Sequence, residues 1–158
     1  ELLAAFQAGT LTGDFVAVIR GQGPRANGMP ELHKLTPTLQ VLQDRGQRVA
    51  LLTDGRMSGA SGTVLAAIHV IPEAAEAGPI GRIADGDTVT IDAEQGEISV
   101  PDAVLNRQSA FTAGIDHDQH GCGREMFGNM RRWVDNAERG ACTLFIQAQP
   151  ETVPLEHV

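Results

Sequence analysis

Two short apolar runs on either side of a helical segment constrain the fold more than any other feature of this sequence. Residues 14–20 and 48–53 are rich in Val, Ile, Leu and Ala, which is typical of buried strands. Between them Thr36 is a fitting N-cap, Pro37 suits the first helical position, and Gly46 ends the helix. This order of strand, helix and strand predicts an α/β domain.

The second half of the chain carries turn signals more typical of hairpins. We predict strands at residues 66–70, 80–84, 88–92, 98–100 and 141–146, and helices at 71–76 and 124–133. Aromatic residues make up only 4% of the chain, so the core must be built from Val, Ile, Leu and Ala. We therefore predict a mixed α/β fold, with a small curled β-sheet or β-barrel flanked by helices, rather than a doubly wound parallel sheet.

Composition and charge exclude several classes of protein. The chain has 158 residues, which suits one compact domain, and a net charge of −8, which argues against a nucleic-acid partner. No apolar run is long enough to span a membrane, and the first residues lack a basic leader and look like the interior of a helix, which suggests a fragment. Cys122 and Cys142 are too few and too far apart for a CxxC metal site, which favours free thiols in a reducing cytoplasm.

A loop rich in Gly and Pro, residues 21–34, follows the first predicted strand. The carboxyl ends of strands are where α/β folds bind ligands, and Glu31 places a carboxylate in this loop. An ordinary Gly/Pro connection is the alternative. A GxGxxG dinucleotide fingerprint is not satisfied, because Pro24 and Arg25 do not open a helix as that motif requires.

A second loop, residues 53–62, follows the second strand and contains three glycines. Such a loop can expose the hydroxyl of Ser58 while neighbouring N–H groups point at an anion, although a plain serine-rich turn explains it equally well. The GxSxG elbow of hydrolases is not satisfied, because Arg56 and Ala60 replace its glycines. A serine hydrolase would also need a histidine and an acid that converge on Ser58.

The two loops resemble signature stretches of the dihydroxy-acid and sugar-acid dehydratase family. The stretches are GPRANGMPELHKLTP at residues 23–37 and DGRMSGASG at residues 54–62, and shorter similar stretches follow in the same order at residues 69–74, 78–80 and 85–87. Because the stretches are long and ordered, the resemblance covers essentially the whole chain.

Within the family, several details resemble the branch that acts on 6-phosphogluconate. They are Asn27, the LHK at residues 32–34, the MSGAS of the serine loop, GREMF at residues 123–127 and GAC at residues 140–142. Branched-chain dihydroxy-acid dehydratases more often read FSGGT in the serine loop. Cys122 departs from the 6-phosphogluconate branch, which usually has a hydrophobic residue such as Met there.

The resemblance implies that residues 1–158 are a single C-terminal domain of a longer dehydratase, similar to a swivelling β/β/α domain. The N-terminal iron–sulfur domain would then lie outside this chain and be its partner, in a full-length protein that forms a homodimer. The implied activity is that of a hydro-lyase, which dehydrates 6-phospho-D-gluconate to 2-dehydro-3-deoxy-6-phosphogluconate. The small-molecule partner is therefore a sugar-acid phosphate.

The resemblance also assigns roles to residues. Ser58 matches the family's base, acting as an alkoxide, and Glu31 matches a magnesium ligand. Their spacing of 27 residues fits two loops at the same end of adjacent strands. An iron–sulfur cluster, expected to be 4Fe–4S, would take its ligands from outside this chain. We predict that four further residues orient the substrate: Arg25, Asn27, Arg56 and Ser61.

Alternatives remain open at this point. The substrate could be another sugar acid or a branched-chain 2,3-dihydroxy acid, or the chain could be a binding domain that performs no chemistry. His33 and His69 are better explained as structural than as catalytic residues, and we do not expect either cysteine to bind a cluster. The apolar stripe Met126, Phe127, Met130 and Trp133 predicts core or dimer packing.

Overall fold

A computed structural model describes residues 1–57, 62–109, 111, 120–121 and 123–144. The helices are α1 (Leu2–Gln7), α2 (Pro24–Asn27), α3 (Thr36–Asp44), α4 (Asp102–Leu105) and α5 (Gly128–Trp133). The strands are β1 (Phe15–Ile19), β2 (Val49–Thr53), β3 (Leu65–Ala67), β4 (Thr90–Asp92) and β5 (Glu97–Ser99). Single 3-10 turns lie at His33–Leu35, Ala74–Glu76, Pro79–Arg82 and Ala137–Arg139.

Strands β1, β2 and β3 form a parallel sheet in that order. β1 and β2 pair along their whole length, from Phe15 opposite Val49 to Ile19 opposite Thr53. Every residue of β2 is buried, as predicted for a short apolar run in the middle of a parallel sheet. The strand–helix–strand order read from the sequence is therefore confirmed.

The sheet is covered on both faces by apolar side chains. On one face, α3 contributes Leu39 and Leu42, which pack in a cluster with Ala17, Val49, Leu51, Met57 and Val64. On the other face Leu52 packs with Ala74, Ile80, Ile83 and Val104. Because successive residues of a strand face opposite sides, Leu51 and Leu52 join β2 to both clusters.

The predicted barrel or curled sheet is wrong for the part of the chain that the structure describes. Strands β4 and β5 pair only with each other there, as an antiparallel hairpin with Ile91 opposite Ile98. The strand predicted at residues 80–84 is instead the 3-10 turn Pro79–Arg82. Ile80, within the turn, and Ile83, directly after it, are both buried.

The late helix is shorter than predicted, beginning at Gly128 rather than residue 124. Its apolar stripe does not enter the core: Met126, Phe127, Met130 and Trp133 are 43% to 77% exposed. The prediction of core packing is therefore wrong, while dimer packing stays a prediction. Residues 141–144 are not a strand, and the rest of the predicted closing strand lies outside the described residues.

A one-turn helix, α2, begins at Pro24, where the sequence analysis expected no helix. Pro24 occupies the first turn, where its missing N–H is not needed, and Gly28 ends the helix in the left-handed conformation with φ of 69°. Among the residues described, no helix has the length and apolar character needed to cross a lipid bilayer.

Candidate active site

The loops after β1 and β2 lie at the same edge of the sheet, as predicted. The parallel pairing of Ile19 with Thr53 aligns the carboxyl ends of the two strands. Further along, Glu31 and Arg56 form an isolated parallel bridge, and the Leu32 N–H donates to the Arg56 carbonyl at 3.3 Å. This bridge places Glu31 beside Arg56, which precedes Ser58 by two residues in sequence.

Asp54 fastens the first loop to the end of β2. Its side chain is fully buried, and its carboxylate accepts hydrogen bonds from the N–H groups of Gly21 at 3.0 Å, Gln22 at 2.9 Å and Ala74 at 2.9 Å. A buried carboxylate is stable only when such donors compensate for the water it has lost. Asp54 therefore joins three segments of chain that are distant in sequence.

A second buried carboxylate, Glu73, holds the start of α2. It accepts hydrogen bonds from the N–H groups of Arg25 at 2.8 Å and Ala26 at 3.0 Å. Burial raises the pKa of Glu73, although the two N–H groups oppose that shift and nearby Asp54 adds to it. These four N–H groups of the first loop therefore bind carboxylates of the chain itself.

The raised pKa of Glu73 predicts how stability changes with pH. The folded state keeps the proton at pH values where the unfolded chain, with a pKa near 4.5, has lost it. The contribution to the unfolding free energy is therefore full below that pKa and is lost as pH rises through the higher folded pKa. As pH rises from acidic to neutral, the unfolding free energy of wild type, measured with denaturant, should fall relative to that of Glu73→Gln. A constant or growing advantage for wild type would contradict this.

Glu31 and Arg56, two of the predicted site residues, bind each other. Arg56 Nη1 lies 3.0 Å from Glu31 Oε2, and Arg56 Nε donates to the Met29 carbonyl at 2.7 Å. The other carboxylate oxygen, Glu31 Oε1, is buried and has no hydrogen-bond partner among the described residues. A buried oxygen of this kind suits a hard cation, because Mg²⁺ prefers carboxylate oxygen ligands.

Arg25 and Asn27, predicted to contact substrate, are also engaged within the chain. Arg25 Nη1 forms an ion pair with Glu76 Oε1 at 3.1 Å. Asn27 Nδ2 donates to Gln22 Oε1 at 2.9 Å, and its Oδ1 accepts from Arg124 Nη2. Sequence analysis did not single out Arg124 as a site residue, although the GREMF stretch that contains it was among the family matches.

The other residues considered in the sequence are either outside the described part of the chain or exposed. Ser58, Ser61 and Cys122 lie outside the described residues. His33 is exposed, and His69 is exposed with its backbone N–H bound to the Gly55 carbonyl at 2.9 Å. Within the described ranges, no three His, Cys, Asp or Glu side chains come together to hold a metal ion.

Comparison with known proteins shows the family. Residues 1–141 match the family described as dihydroxy-acid/6-phosphogluconate dehydratase, C-terminal, and the chain belongs to it.

Three similar relatives are all named phosphogluconate dehydratase. The protein of Pseudomonas aeruginosa is 60% identical over 145 residues, which are 90% of this chain. That of Rhizobium meliloti is 58% identical over 147 residues, or 92% of the chain, and that of Escherichia coli is 46% identical over 148 residues, also 92%. The chain spans about a quarter of the length of these relatives, 24% in each case.

Proposed function

We propose that the chain is the C-terminal part of a hydro-lyase that dehydrates 6-phospho-D-gluconate to 2-dehydro-3-deoxy-6-phosphogluconate. The names and identities of the relatives support the substrate. The observation that carries the proposal is the backbone bridge between Glu31 and Arg56, because it brings Glu31 next to the chain that leads into Ser58. Glu31 Oε1 has no hydrogen-bond partner among the described residues. A metal ligand and a base would thus share one edge of the sheet.

Glu31 is the residue of this chain that would bind Mg²⁺. Its buried Oε1 is available to a cation, while Arg56 fixes the orientation of the carboxylate through Oε2. Arg56 is itself held by the Met29 carbonyl, so the carboxylate is oriented before any cation arrives. The remaining Mg²⁺ ligands would come from the N-terminal part of the longer protein, which lies outside this chain.

Ser58 would remove the proton from C2 of the substrate. Dehydration breaks the C2–H and C3–O bonds, and the enol that forms tautomerises to the 2-keto acid. A serine hydroxyl is too weak a base at neutral pH, so neighbouring positive charge must favour the alkoxide. Arg56 precedes Ser58 by two residues, but its charge is paired with Glu31, so the net positive charge would come from the bound cation. Ser61, which lies in the same loop as Ser58, would bind a hydroxyl group of the substrate.

The leaving-group chemistry belongs to the rest of the protein. When bound, the iron–sulfur cluster would supply a Lewis acid for the C3 hydroxyl, and Mg²⁺ would make the C2 proton more acidic. Residues 1–158 contain two cysteines, too few to ligate a cluster alone. We therefore place the cluster ligands in an N-terminal domain of the longer protein. We also propose that the full-length protein is a homodimer in the cytoplasm.

Turnover of defined substrates tests the proposal. The full-length protein, loaded with cluster and Mg²⁺, should dehydrate 6-phosphogluconate with a kcat/KM at least about 100-fold above that for dihydroxyisovalerate, because substrate-binding groups built for a phosphate would be left unpaired. Product is measured as the 2-keto acid. Activity on dihydroxyisovalerate alone would show that the substrate assignment is wrong.

A further inference from the structure

Arg124 contacts the first loop from a distant part of the chain. It lies 97 residues from Asn27 in sequence, yet its Nη2 donates to Asn27 Oδ1, and the helix that follows it, α5, packs against α2. Its backbone is held as well, because Arg131 Nη2 donates to the Arg124 carbonyl at 3.2 Å. Both the backbone and the guanidinium of Arg124 are thus fixed beside the loop that carries Glu31.

The charges of Arg25 and Arg56 are paired with carboxylates. Arg20 donates to the backbone carbonyls of Gly81 and Ile83. Arg124 is half-buried and forms no ion pair in the part of the chain that the structure describes. Lys34, which lies in the same loop as Arg25, is exposed. Arg124 is therefore a partly desolvated cation that can accept an anionic ligand.

The position of Arg124 suits the phosphate end of the substrate. Glu31 would serve the carboxylate end through Mg²⁺, and an extended six-carbon acid separates its carboxylate from a C6 phosphate by roughly 9 Å, from standard bond lengths. Asn27 precedes Glu31 by four residues, and four residues of chain reach at most about 14 Å. One loop can therefore present both ends of the substrate to separate groups.

We propose that Arg124 binds the C6 phosphate of 6-phosphogluconate and so determines specificity for the phosphorylated acid, an inference that rests on the proposed function. A guanidinium has five N–H donors, of which the bond to Asn27 uses one. The others can form the paired hydrogen bonds with phosphate oxygens that make arginine the preferred phosphate ligand. Asn27 is then a positioning residue, which orients the guanidinium through Oδ1 rather than touching the substrate.

Arg124→Gln in the full-length holoenzyme tests this inference. The KM for 6-phosphogluconate should rise about 10- to 100-fold, the range for losing a hydrogen bond between charged groups. The kcat/KM for D-gluconate, which lacks the phosphate, should fall much less, so the preference for the phosphorylated acid should shrink. Inhibition by inorganic phosphate should weaken in parallel, and Arg124→Lys, which keeps the charge without the paired donors, should lie between wild type and the Gln variant.

Two control variants separate phosphate binding from a structural role. Arg132→Gln removes an exposed arginine of α5, and Lys34→Gln removes the exposed cation of the loop; both should keep the wild-type KM. If Arg124 serves only to hold Asn27, its replacement would lower both substrates' kcat/KM equally and leave phosphate inhibition unchanged, which overturns the inference. A loss of phosphate preference in Lys34→Gln alone would also overturn it. Wild type without activity on 6-phosphogluconate would instead contradict the proposed function.

Discussion

Replacing Ser58 with alanine in the full-length protein should lower kcat on the order of 10³-fold, the usual contribution of a general base. The two residues before Ser58 cannot replace it as a base, since Met57 is apolar and Arg56 is a cation paired with Glu31. Mg²⁺ affinity and the absorption spectrum of the cluster should not change, because a hydroxyl is removed without disturbing either group. Steady-state kinetics, magnesium titration and the visible spectrum measure the three properties.

Ser61 provides the matched control for this variant, because it lies in the same loop and carries the same hydroxyl. Ser61→Ala should raise KM by a few-fold, consistent with the loss of one neutral hydrogen bond of about 1 kcal/mol, and keep most of kcat. Near-normal turnover by Ser58→Ala would show that another group acts as the base. Equal losses of kcat in the two variants would mean that the loop needs both hydroxyls for its structure.

Replacing Glu31 with glutamine should weaken Mg²⁺ binding by more than about 100-fold, because the loss of a direct ligand should exceed the 10- to 100-fold loss typical of residues behind the ligands. Glutamine preserves the shape of the side chain, but it removes the charge that holds Arg56 and would hold the cation. Calorimetric titration of the full-length protein with Mg²⁺ measures the effect directly, and turnover should require correspondingly higher Mg²⁺ concentrations.

Glu76→Gln is a closely matched control for Glu31→Gln. The side chains of Glu31 and Glu76 are 28% and 26% exposed, and each forms an ion pair with an arginine of the site, at 3.0 and 3.1 Å. They differ in that Glu31 Oε1 is a buried oxygen that no other described residue contacts by a hydrogen bond. Glu76→Gln should therefore keep wild-type Mg²⁺ affinity. If both variants bind Mg²⁺ as wild type does, Glu31 is not a ligand.

The sequence predicted correctly those features of the fold for which the local residue pattern matches the position in the folded chain. The apolar run of β2 predicted a strand buried on both faces, and the position of each loop after a strand predicted that the loops would meet. The roles of Asp54 and Glu73 were not predicted, because their donors are 20 to 48 residues away in sequence. No local pattern encodes such contacts.

The wrong predictions of secondary structure and packing arose because a short apolar segment does not by itself determine its conformation or what it packs against. Ile80 and Ile83 suggested a strand, yet Ile80 is buried within a 3-10 turn and Ile83 is buried directly after it. The stripe at residues 126–133 has helical spacing, but amphipathic spacing alone does not say whether the apolar side meets the core of the same chain. The barrel was predicted from the number of short strands, and one of those strands is a 3-10 turn in the structure.

The close approach of Gly23 to Glu73 limits how the substrate range of such an enzyme can be redesigned. A side chain at position 23 would place its Cβ 2.6 Å from the Glu73 Cδ, so any replacement would displace the carboxylate that holds the start of α2. Positions 25 and 27, by contrast, lie at least partly open to solvent. A mutant library aimed at new sugar acids should therefore randomise positions 25, 27 and 124 and keep glycine at position 23.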